Sequence, residues 1–371
     1  MNIFSEFFTH RTPPFGLDIS DTSIEVVQLK RSGSTIALAQ YGSQFLEDGL
    51  VRDGVILDPA LLARHIDHAV RSTIPSAITH ASVIVSLPES RVFTSTITLP
   101  ATLRGEDLHI AVHHQAEESI PLSRSEMYDD WLVIRDETTR DTQEIFYCGS
   151  PRSTVDALLE TLRLGHLEPV ALDLESLSLT RSLVPSYNNN EGVFVVDIGG
   201  RSTILSITDR GGIRASATLK VAGNAFTDDI ARELNIEHNE AERIKKVEGM
   251  NTQQKEGKVQ SVLKQSISPI IAEAQQLMEY YEKKSGRSVV SIVLAGGSSS
   301  LPGLVTYCQK QWNRSVRRGN VCETVLACQD IIQDRDPILL STVVGLALRG
   351  LAPNPAQAGI NLIPHQRSLH S

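Results

Sequence analysis

The sequence predicts an α/β protein built from two related lobes, and three observations support this prediction. The chain repeats itself: residues 15–33 (FGLDISDTSIEVVQLKRSG) return in altered form at residues 194–212 (FVVDIGGRSTILSITDRGG), with Asp18 aligned to Asp197. Each copy has an apolar run, an aspartate, a tight turn and a second apolar run, which is the pattern of a β-hairpin. At 371 residues, the chain exceeds one ordinary core. Strand and helix patterns also follow each copy.

The first half continues with an N-capped helix, because Asp58 precedes a proline at the first helical position. Further along, residues 131–134 are predicted to lie in a connecting region, and the asparagine-rich run 186–191 marks the boundary between the halves. The remaining predicted elements of this half are strands at residues 82–86, 92–98, 144–148 and 169–172, and helices at residues 107–119, 154–164 and 174–183.

The second half repeats the hairpin and then predicts helices at residues 225–234, 240–247 and 259–284, with Pro269 expected to kink or break the last one. An apolar strand at residues 288–295 then enters the glycine turn 296–300 (GGSSS), and residues 301–304 begin another helix. A glycine turn between a strand and a helix is a natural place for a phosphate or ribose. One such turn is more often structural, but three turns in order favour a ligand.

The two aspartates end the first strands of the two hairpins, so in a two-lobed protein they would face one cleft. Two carboxylates beside hairpin turns suit a divalent cation that bridges nucleotide phosphates, while backbone N–H groups of the turns can hold phosphate oxygens. The alternative interpretation is that Asp18 and Asp197 make only structural hydrogen bonds in their turns.

Composition limits the class of protein. The formal net charge is −9 and the basic residues are dispersed, which argues against nucleic-acid binding. No apolar run approaches the roughly 20 residues that span a bilayer, so we expect a cytoplasmic protein. The four cysteines include no CxxC pair and are predicted to be reduced thiols. His113 and His114 are interpreted as packing or surface residues, because adjacent helical positions point about 100° apart.

Seven segments together resemble the type IV pilus assembly protein PilM family, a group of the actin-like ATPase superfamily related to the cell-division protein FtsA. They are FGLDIS (15–20), EDGLVRDGVILDPALL (47–62), VIVSLPES (83–90), EESIPLS (117–123), VVDIGGRST (195–203), NIEHNEAERIKKVEG (235–249) and IVLAGGSSSLPGL (292–304). The resemblance implies an actin-like ATPase fold in which two lobes of duplicated RNase H-like subdomains surround ATP and magnesium.

The same resemblance implies a division of the chain. Residues 1–87 would form the N-terminal part of the first-lobe core (1A), and residues 88–166 an inserted 1C-type (SHS2) subdomain. Residues 167–190 would return to the first lobe. Residues 191–350 would form the second lobe (2A and 2B), with the last helix returning to the first lobe. Residues 351–371 would form a linker and tail.

Site residues also follow from the resemblance. Asp18 and Asp197 would orient the magnesium ion and its waters, whereas no catalytic residue can be assigned. Glu242 and Lys245 would lie beside the purine and ribose. The residues implied to bind ATP are Ser20, Thr22, Ser23, Gly199, Gly200, Ser202, Thr203, Gly223, Asn224, Glu242, Lys245, Gly296, Gly297 and Ser298.

The first phosphate loop departs from the family pattern of Asp-x-Gly-Ser or Thr, because Ser20 and Asp21 follow Ile19. Ser20 restricts a close backbone approach, and Asp21 adds a negative charge near a polyphosphate unless its side chain points away. This difference leaves open a scaffold whose nucleotide site has decayed.

The tail carries a peptide-like motif, Ile360, Asn361, Leu362, Ile363 and Pro364. It resembles the INLLP motif at the N-terminus of PilN, the inner-membrane protein that PilM proteins bind. This suggests that the tail docks in its own groove or in that of a neighbouring copy, competing with a partner or linking copies. The alternative is an apolar tail that folds onto the nearest lobe.

The predicted function is therefore an ATP-binding cytoplasmic adaptor of a type IV pilus, or of a related secretion or competence system. It would bind a PilN-type peptide and reach the membrane only through partners. ATP would act chiefly as a conformational ligand, with at most slow hydrolysis. The alternatives are an ATP-using enzyme of the actin and sugar-kinase superfamily and the decayed scaffold.

Overall fold

The structure, a computed structural model, describes residues 12–47, 49–134, 141–184, 191–210, 212–251 and 257–364, which form both strands and helices. The strands are β1 (Phe15–Ile19), β2 (Ser23–Ser32), β3 (Thr35–Phe45), β4 (Val51–Arg52), β5 (Val55–Ile56), β6 (Ser82–Leu87), β7 (Phe93–Pro100), β8 (Met127–Ile134), β9 (Thr142–Pro151), β10 (Glu168–Leu174), β11 (Gly192–Ile198), β12 (Thr203–Asp209), β13 (Gly212–Leu219), β14 (Val289–Ala295) and β15 (Val316–Arg318). The helices are α1 (Pro59–Arg71), α2 (Gly105–Glu117), α3 (Arg152–Leu164), α4 (Glu175–Leu183), α5 (Gly223–Leu234), α6 (His238–Glu248), α7 (Lys258–Ser285), α8 (Leu304–Trp312), α9 (Cys328–Ile332) and α10 (Ser341–Gly350).

The two halves build matching five-stranded sheets, in the orders β10-β6-β1-β2-β3 and β13-β12-β11-β14-β15. In each sheet the first strand of the predicted hairpin pairs antiparallel with the next strand and parallel with a later one. Asp18 and Asp197 both stand one residue before the end of that first strand. The predicted duplication is therefore present in strand order, strand direction and the position of the aspartate.

A separate three-stranded sheet, β7-β9-β8, is covered by α2. Strand β8 pairs with β9 from Met127 to Ile134, so the prediction of a connecting region at residues 131–134 was wrong. The reason is tertiary: Asp129 and Asp130 interrupt the apolar pattern, yet cross-strand pairing with β9 fixes this segment as a strand. On α2, His113 is buried with Nδ1 3.3 Å from Asp129 Oδ2, whereas His114 is exposed.

The small sheet contacts the second lobe as well as the first. Thr96 Oγ1 donates to the backbone oxygen of Arg214 on β13 at 3.2 Å. The Arg214 side chain, only 4% exposed, forms ion pairs with Asp209 of its own lobe and with Glu144 of β9. A buried arginine thus joins the small sheet to the second five-stranded sheet.

Helix α10 returns to the first lobe and packs against α4 and β1. Its crossing with α4 is tight, since a Cβ atom on Gly345 would lie 1.9 Å from the backbone oxygen of Ser178. Apolar side chains of α4 and α10 meet those of β2, β3, β11 and β14 in one core between the two sheets. This core fixes how the hairpins of the two lobes face each other.

Two local predictions need correction. Helix α7 continues through Pro269, so the alternative of a break is wrong; Ile267 and Ile270 on either side are buried in the second-lobe core and hold the helix together. Cys322 and Cys328 form a disulfide, while the other two cysteines are free, so the prediction of four reduced thiols fails for this pair. The path of the chain after β15 brings the two residues together.

The Asp58 cap is confirmed, with Oδ1 accepting from Leu61 N at 2.9 Å. The predicted boundary at residues 186–191 falls, apart from Glu191, outside the described residues. Among the residues described, none of the helices combines the length and apolar character that a bilayer span requires.

Candidate functional site

The turn of the first hairpin is closed by Ser20, whose Oγ accepts from Ser23 N at 2.9 Å and from Thr22 N at 3.3 Å. Asp21 points away from this turn. Its carboxylate accepts from the backbone N–H groups of Asp53 at 2.8 Å and Gly54 at 3.1 Å, in the turn between β4 and β5. The acidic side chain that departs from the family pattern therefore holds the neighbouring hairpin in place.

The second hairpin meets two other turns. Gly223 N donates to the backbone oxygen of Gly199 at 3.0 Å, and Asn224 N donates to that of Gly200 at 2.8 Å. Ser298 Oγ donates to the same Gly199 oxygen at 3.4 Å. Three glycine-containing segments that are far apart in the sequence thus converge on one point.

These segments surround a cavity of about 430 Å³, which lies within the range of small-molecule and cofactor sites. Residues from the second hairpin, the start of α5, helix α6 and the turn after β14 form its wall. The lining residues are Gly199, Gly200, Gly223, Asn224, Glu242, Lys245, Lys246, Gly297, Ser298, Ser300, Leu301, Asp336 and Leu339.

The floor of the cleft between the hairpins is acidic. Burial raises the pKa of Asp18, although Ser86 Oγ donates to its Oδ1 at 2.6 Å. Burial, followed by the charges of Asp18 and Glu89, raises the pKa of Asp197 to about 7. Burial and then the charges of Asp18, Glu89 and Asp197 raise the pKa of Glu175 well above its usual range. Crowded, desolvated carboxylates of this kind are stabilised by a divalent cation.

Glu242 and Lys245 line the cavity and bind each other, with Lys245 Nζ 2.6 Å from Glu242 Oε2. Lys245 Nζ also donates to the backbone oxygen of Gly223 and to Thr227 Oγ1, both at 2.7 Å. Burial alone would raise the pKa of Glu242, but hydrogen bonds from Lys245 and Thr227 outweigh it and lower the pKa to about 2. The pair therefore joins α5 to α6 as a charged wall.

A second site is formed by the tail. Ile360 and Leu362 are fully buried in the first-lobe core, which also contains side chains of β10, α3, β8 and β9. Between them, the side-chain amide of Asn361 pairs with the edge of β10: Oδ1 accepts from Leu172 N at 3.1 Å and Nδ2 donates to Val170 O at 3.3 Å. Leu362 N donates to Leu172 O at 3.2 Å. An asparagine amide thus imitates one peptide unit of an added strand.

The groove that holds the tail, between β10 and β8, also forms hydrogen bonds with the backbone of the tail. Asn361 N donates to Asp130 Oδ2 on β8 at 2.8 Å. Arg349, whose side chain is fully buried, donates to the backbone oxygen of Ile360 and lies 3.0 Å from Asp173 of β10. Burial would raise the pKa of Asp173, but Arg349 and Arg181 hold it below its usual value. The tail therefore docks in cis between the first-lobe sheet and the small sheet.

A family model described as "Type IV pilus assembly protein PilM" matches residues 16–351. The chain belongs to the PilM family. FtsA of Pseudomonas aeruginosa is 30% identical over 205 residues, which cover 50% of this chain and 48% of that protein. FtsA of Enterococcus faecalis is 24% identical over 343 residues, covering 81% of this chain and 77% of that protein. In the first of these matches, this chain spans about half the length of its relative.

Solved structures show the fold of the family. A PilM-PilN type IV pilus biogenesis complex superposes with a TM-score of 0.79 at 23% identity, covering 92% of this chain and all of that chain. MreB5 of Spiroplasma citri bound to AMPPNP gives a TM-score of 0.54 at 15% identity, covering 91% and 95%. The ethanolamine utilization protein EutJ of Carboxydothermus hydrogenoformans gives 0.55 at 15%, covering 90% and 89%. This PilM-family chain has the predicted actin-like fold.

The structure places half of the residues implied by the PilM resemblance in the wall of the cavity. Asp18 and Asp197 are not among the lining residues, but they lie close enough to each other for the charge of Asp18 to raise the pKa of Asp197. The Thr203 hydroxyl is instead fully buried and donates to Val221 O at 2.7 Å, and the carbonyl of Ser202 accepts from Gly199 N. Eight of the residues line the cavity: Gly199, Gly200, Gly223, Asn224, Glu242, Lys245, Gly297 and Ser298.

The sequence of this PilM-family chain did not lead us to predict several residues of the two sites. Glu175 was placed inside a predicted helix, but the structure shows it directly after strand β10, where a carboxylate at a strand's carboxyl end is a usable signal. Glu89 binds Ser176 through its carboxylate, with the Ser176 hydroxyl donating at 2.6 Å. Arg349 and Asp173 carry no local signal, because their pairing depends on the return of α10 to the first lobe.

Gly296 is predicted to be irreplaceable. Its φ is +75°, and an added Cβ would lie 2.5 Å from both Asp197 Oδ1 and Ile198 O. We expect Gly296→Ala to lower the free energy of unfolding by about 2–4 kcal/mol through backbone strain and this clash, and to weaken nucleotide binding. Gly297→Ala is the control, since its nearest neighbour would lie 3.6 Å away. Equal urea midpoints for the two variants would contradict the prediction.

Glu25 provides a pH-dependent prediction. It lies opposite Asp18 in the β1–β2 pair, and burial raises its pKa to about 7 despite hydrogen bonds from Tyr41 and Ser43. Because the folded pKa is above the unfolded value of 4.5, stability falls as pH rises from about 4.5 to 7. In Glu25→Gln we expect the loss between pH 5 and pH 8 to shrink by up to about 3 kcal/mol in urea unfolding. The exposed Glu117→Gln should retain the parent slope.

Proposed function

We propose that this chain is a nucleotide-responsive adaptor of the inner-membrane assembly platform of a type IV pilus, or of a related secretion or DNA-uptake system. It acts in the cytoplasm, binds ATP and magnesium between its lobes, and binds the N-terminal INLLP-type peptide of a PilN-like partner. Its contact with the membrane is indirect, through that partner. The observation that carries this proposal is the groove that holds an Ile-Asn-Leu sequence through side-chain-specific contacts.

The groove supports peptide binding because it recognises both sequence and backbone. The pockets for Ile360 and Leu362 take alternate apolar side chains, and the Asn361 amide satisfies the edge of β10. Asp130 and Arg349 bind main-chain N–H and C=O groups. Addition of a strand to an exposed sheet edge, with pockets for alternate side chains, is a common mode of peptide recognition.

Three features of the cleft support the proposed binding of ATP and magnesium. The volume of the glycine-lined cavity lies within the range of cofactor sites, and Gly296 brings backbone against Asp197 where a side chain would not fit. Asp18 and Asp197 would hold a magnesium ion through water. Burial raises the pKa of both carboxylates, and the charges of Asp18 and Glu89 raise that of Asp197 further. Bound magnesium would supply positive charge that offsets these carboxylates and bridges phosphate oxygens. Asp21 is occupied elsewhere, which removes the main argument for a decayed site.

The groove and the cleft share one strand. On β10, Leu172 pairs with the tail and Asp173 binds Arg349, and two residues further Glu175 lies on the cleft floor. A ligand alters a distant site only if it binds two conformations with different affinity. Because ATP would contact both lobes, it would favour one arrangement of β10 and of helix α4, which begins at Glu175. ATP would thereby change the affinity of the groove for the peptide.

We propose that the tail occupies the partner-binding groove when no partner is bound. This makes residues 359–364 a tethered competitor, and PilN-type binding requires their displacement. Docking of the same segment into a neighbouring copy would instead link copies, so concentration-dependent oligomers that disappear on tail deletion would indicate the exchange in trans.

The test is a titration of a labelled INLLP peptide into the chain lacking residues 359–371, with and without magnesium ATP. Saturable binding that shifts with ATP supports the proposal and gives the coupling free energy directly. A peptide with alanine in place of asparagine should bind at least about tenfold more weakly, because it leaves the β10 edge unpaired. Binding that is indifferent to ATP favours an uncoupled scaffold, and absent binding contradicts the adaptor proposal.

Slow ATP hydrolysis is a second candidate function, favoured by the position of Glu175. Its carboxylate is buried beside Asp18 and Asp197, where it could orient a water molecule. Glu175→Gln should abolish phosphate release while leaving nucleotide affinity within about threefold, because the amide keeps the shape of the side chain. A parent protein that binds ATP without releasing phosphate would contradict this second function only.

A further inference from the structure

Arg201 connects the two hairpin turns across the cleft. It follows Gly199 and Gly200, which line the cavity, and it is the only basic residue in turn segments 20–22 and 199–202. Its Nε lies 3.0 Å from Asp21 Oδ2 and its Nη1 3.7 Å from Asp53 Oδ1. A cation of the second lobe is therefore paired with two carboxylates of the first.

This pairing is incomplete. The Arg201 side chain remains 34% exposed, and those of its partners Asp53 and Asp21 are 63% and 13% exposed. The buried Nε makes no hydrogen bond with any residue in the described part of the chain, so the ion pair with Asp21 is poorly aligned. Asp21 is already satisfied by the backbone of Asp53 and Gly54. Partly exposed ion pairs of this kind contribute little to stability, so Arg201 can leave its partners at low cost.

A polyphosphate bound in the cleft would be a stronger partner for Arg201 than these carboxylates are. Asp18, Asp197 and Glu175 make the floor acidic, and on the far wall Lys245 is bound to Glu242. A polyphosphate between the hairpins would need a cation at the turns. A guanidinium binds phosphate oxygens through paired, charge-assisted hydrogen bonds, which are stronger than an exposed contact with a carboxylate.

We propose that Arg201 binds the terminal phosphate of a nucleoside triphosphate. To do so, its side chain leaves the carboxylates of Asp21 and Asp53. A diphosphate lacks that group and leaves Arg201 on the carboxylates. Arg201 is thus the residue that distinguishes the triphosphate from the diphosphate, and the contact between the lobes changes partner on binding. This inference rests on the proposed binding of ATP in the cleft.

The variants separate this role from a structural one. Arg201→Gln should weaken binding of magnesium ATP about tenfold or more and change that of magnesium ADP by less than about threefold. Asp53→Asn removes one competing carboxylate and should strengthen ATP binding about twofold. Arg163→Gln is the control: it removes the same charge from an exposed pair with Glu160 on α3 and should change neither affinity.

The measurement is calorimetric titration of each purified full-length protein with magnesium ATP and with magnesium ADP. Loss of the ATP-to-ADP preference in Arg201→Gln, with Arg163→Gln unchanged, supports the inference. An unchanged preference in Arg201→Gln overturns it while leaving the proposed ATP site intact, whereas a parent protein that binds neither nucleotide overturns both. If thermal unfolding shows that Arg201→Gln is misfolded, Arg201→Lys replaces it, with a smaller loss of preference expected because lysine keeps the charge but not the paired donors.

Discussion

Replacing Arg349 with methionine is expected to destabilise the chain by about 3–5 kcal/mol, because it leaves the buried carboxylate of Asp173 without its main partner. Both side chains are fully buried, and the arginine also donates to backbone oxygens of the tail, including Pro355 at 2.8 Å and Ile360. Methionine fills the space of the arginine stem, so the loss reports the charge and hydrogen bonds rather than a cavity. Urea unfolding at pH 7 measures the change.

Two controls locate the cause. Arg181→Met removes the other partner of Asp173, but this arginine is 23% exposed, so we expect a loss below about 2 kcal/mol. In the double variant Asp173→Asn with Arg349→Met, the fully buried carboxylate is removed and only the partly exposed Arg181 loses its ionic partner, so part of the stability should return. If the double variant is as unstable as the sum of its single variants, the explanation by an unpaired carboxylate is wrong.

Asn361→Ala should raise the apparent affinity of the full-length chain for an INLLP peptide by up to about 30-fold. The variant loses the paired hydrogen bonds to Leu172 N and Val170 O, which weakens tail docking by about 2 kcal/mol. A tethered tail competes at a high effective concentration, so weaker docking translates directly into stronger apparent binding of the free peptide. Fluorescence anisotropy with the labelled peptide measures the affinity.

Asn354→Ala is the matched control, because this exposed asparagine bonds only to Gln357 among the described side chains. It should leave the peptide affinity at the parent value. Equal affinities for the parent, Asn361→Ala and the tail deletion would mean that tail and peptide do not share a groove, which refutes self-competition without affecting the fold.

Features set by neighbouring residues could be predicted from the sequence. Each hairpin is a local strand, turn and strand, so Asp18 and Asp197 could be placed at strand ends from the repeat alone. The Asp58 cap and the strand before the turn at Gly296 are equally local. The repeat also predicted that the two aspartates face one cleft, and the resemblance to the PilM family added the turn at Gly296 to that cleft.

Features set by the path of the chain in space could not be predicted. Glu175 joins the cleft only because β10 lies beside β6 in the sheet. No sequence pattern predicts that the Asp21 carboxylate accepts from the backbone of Gly54, or that Arg201 lies beside Asp21. The tail motif was recognisable, but its five residues could pack on many apolar faces, and its place depends on pairing with Leu172.

The pairing of Asn361 with β10 also bears on aggregation. Strand β10 is the outermost strand of its sheet, and an open edge with unpaired N–H and C=O groups can recruit strands from other molecules. While the tail is docked, this edge is covered. A partner that displaced the tail without replacing its amide contacts would leave the edge of β10 unpaired. A partner peptide that takes over these hydrogen bonds as the tail leaves therefore protects solubility as well as specificity. Chains without the tail should be most soluble when purified with the peptide bound.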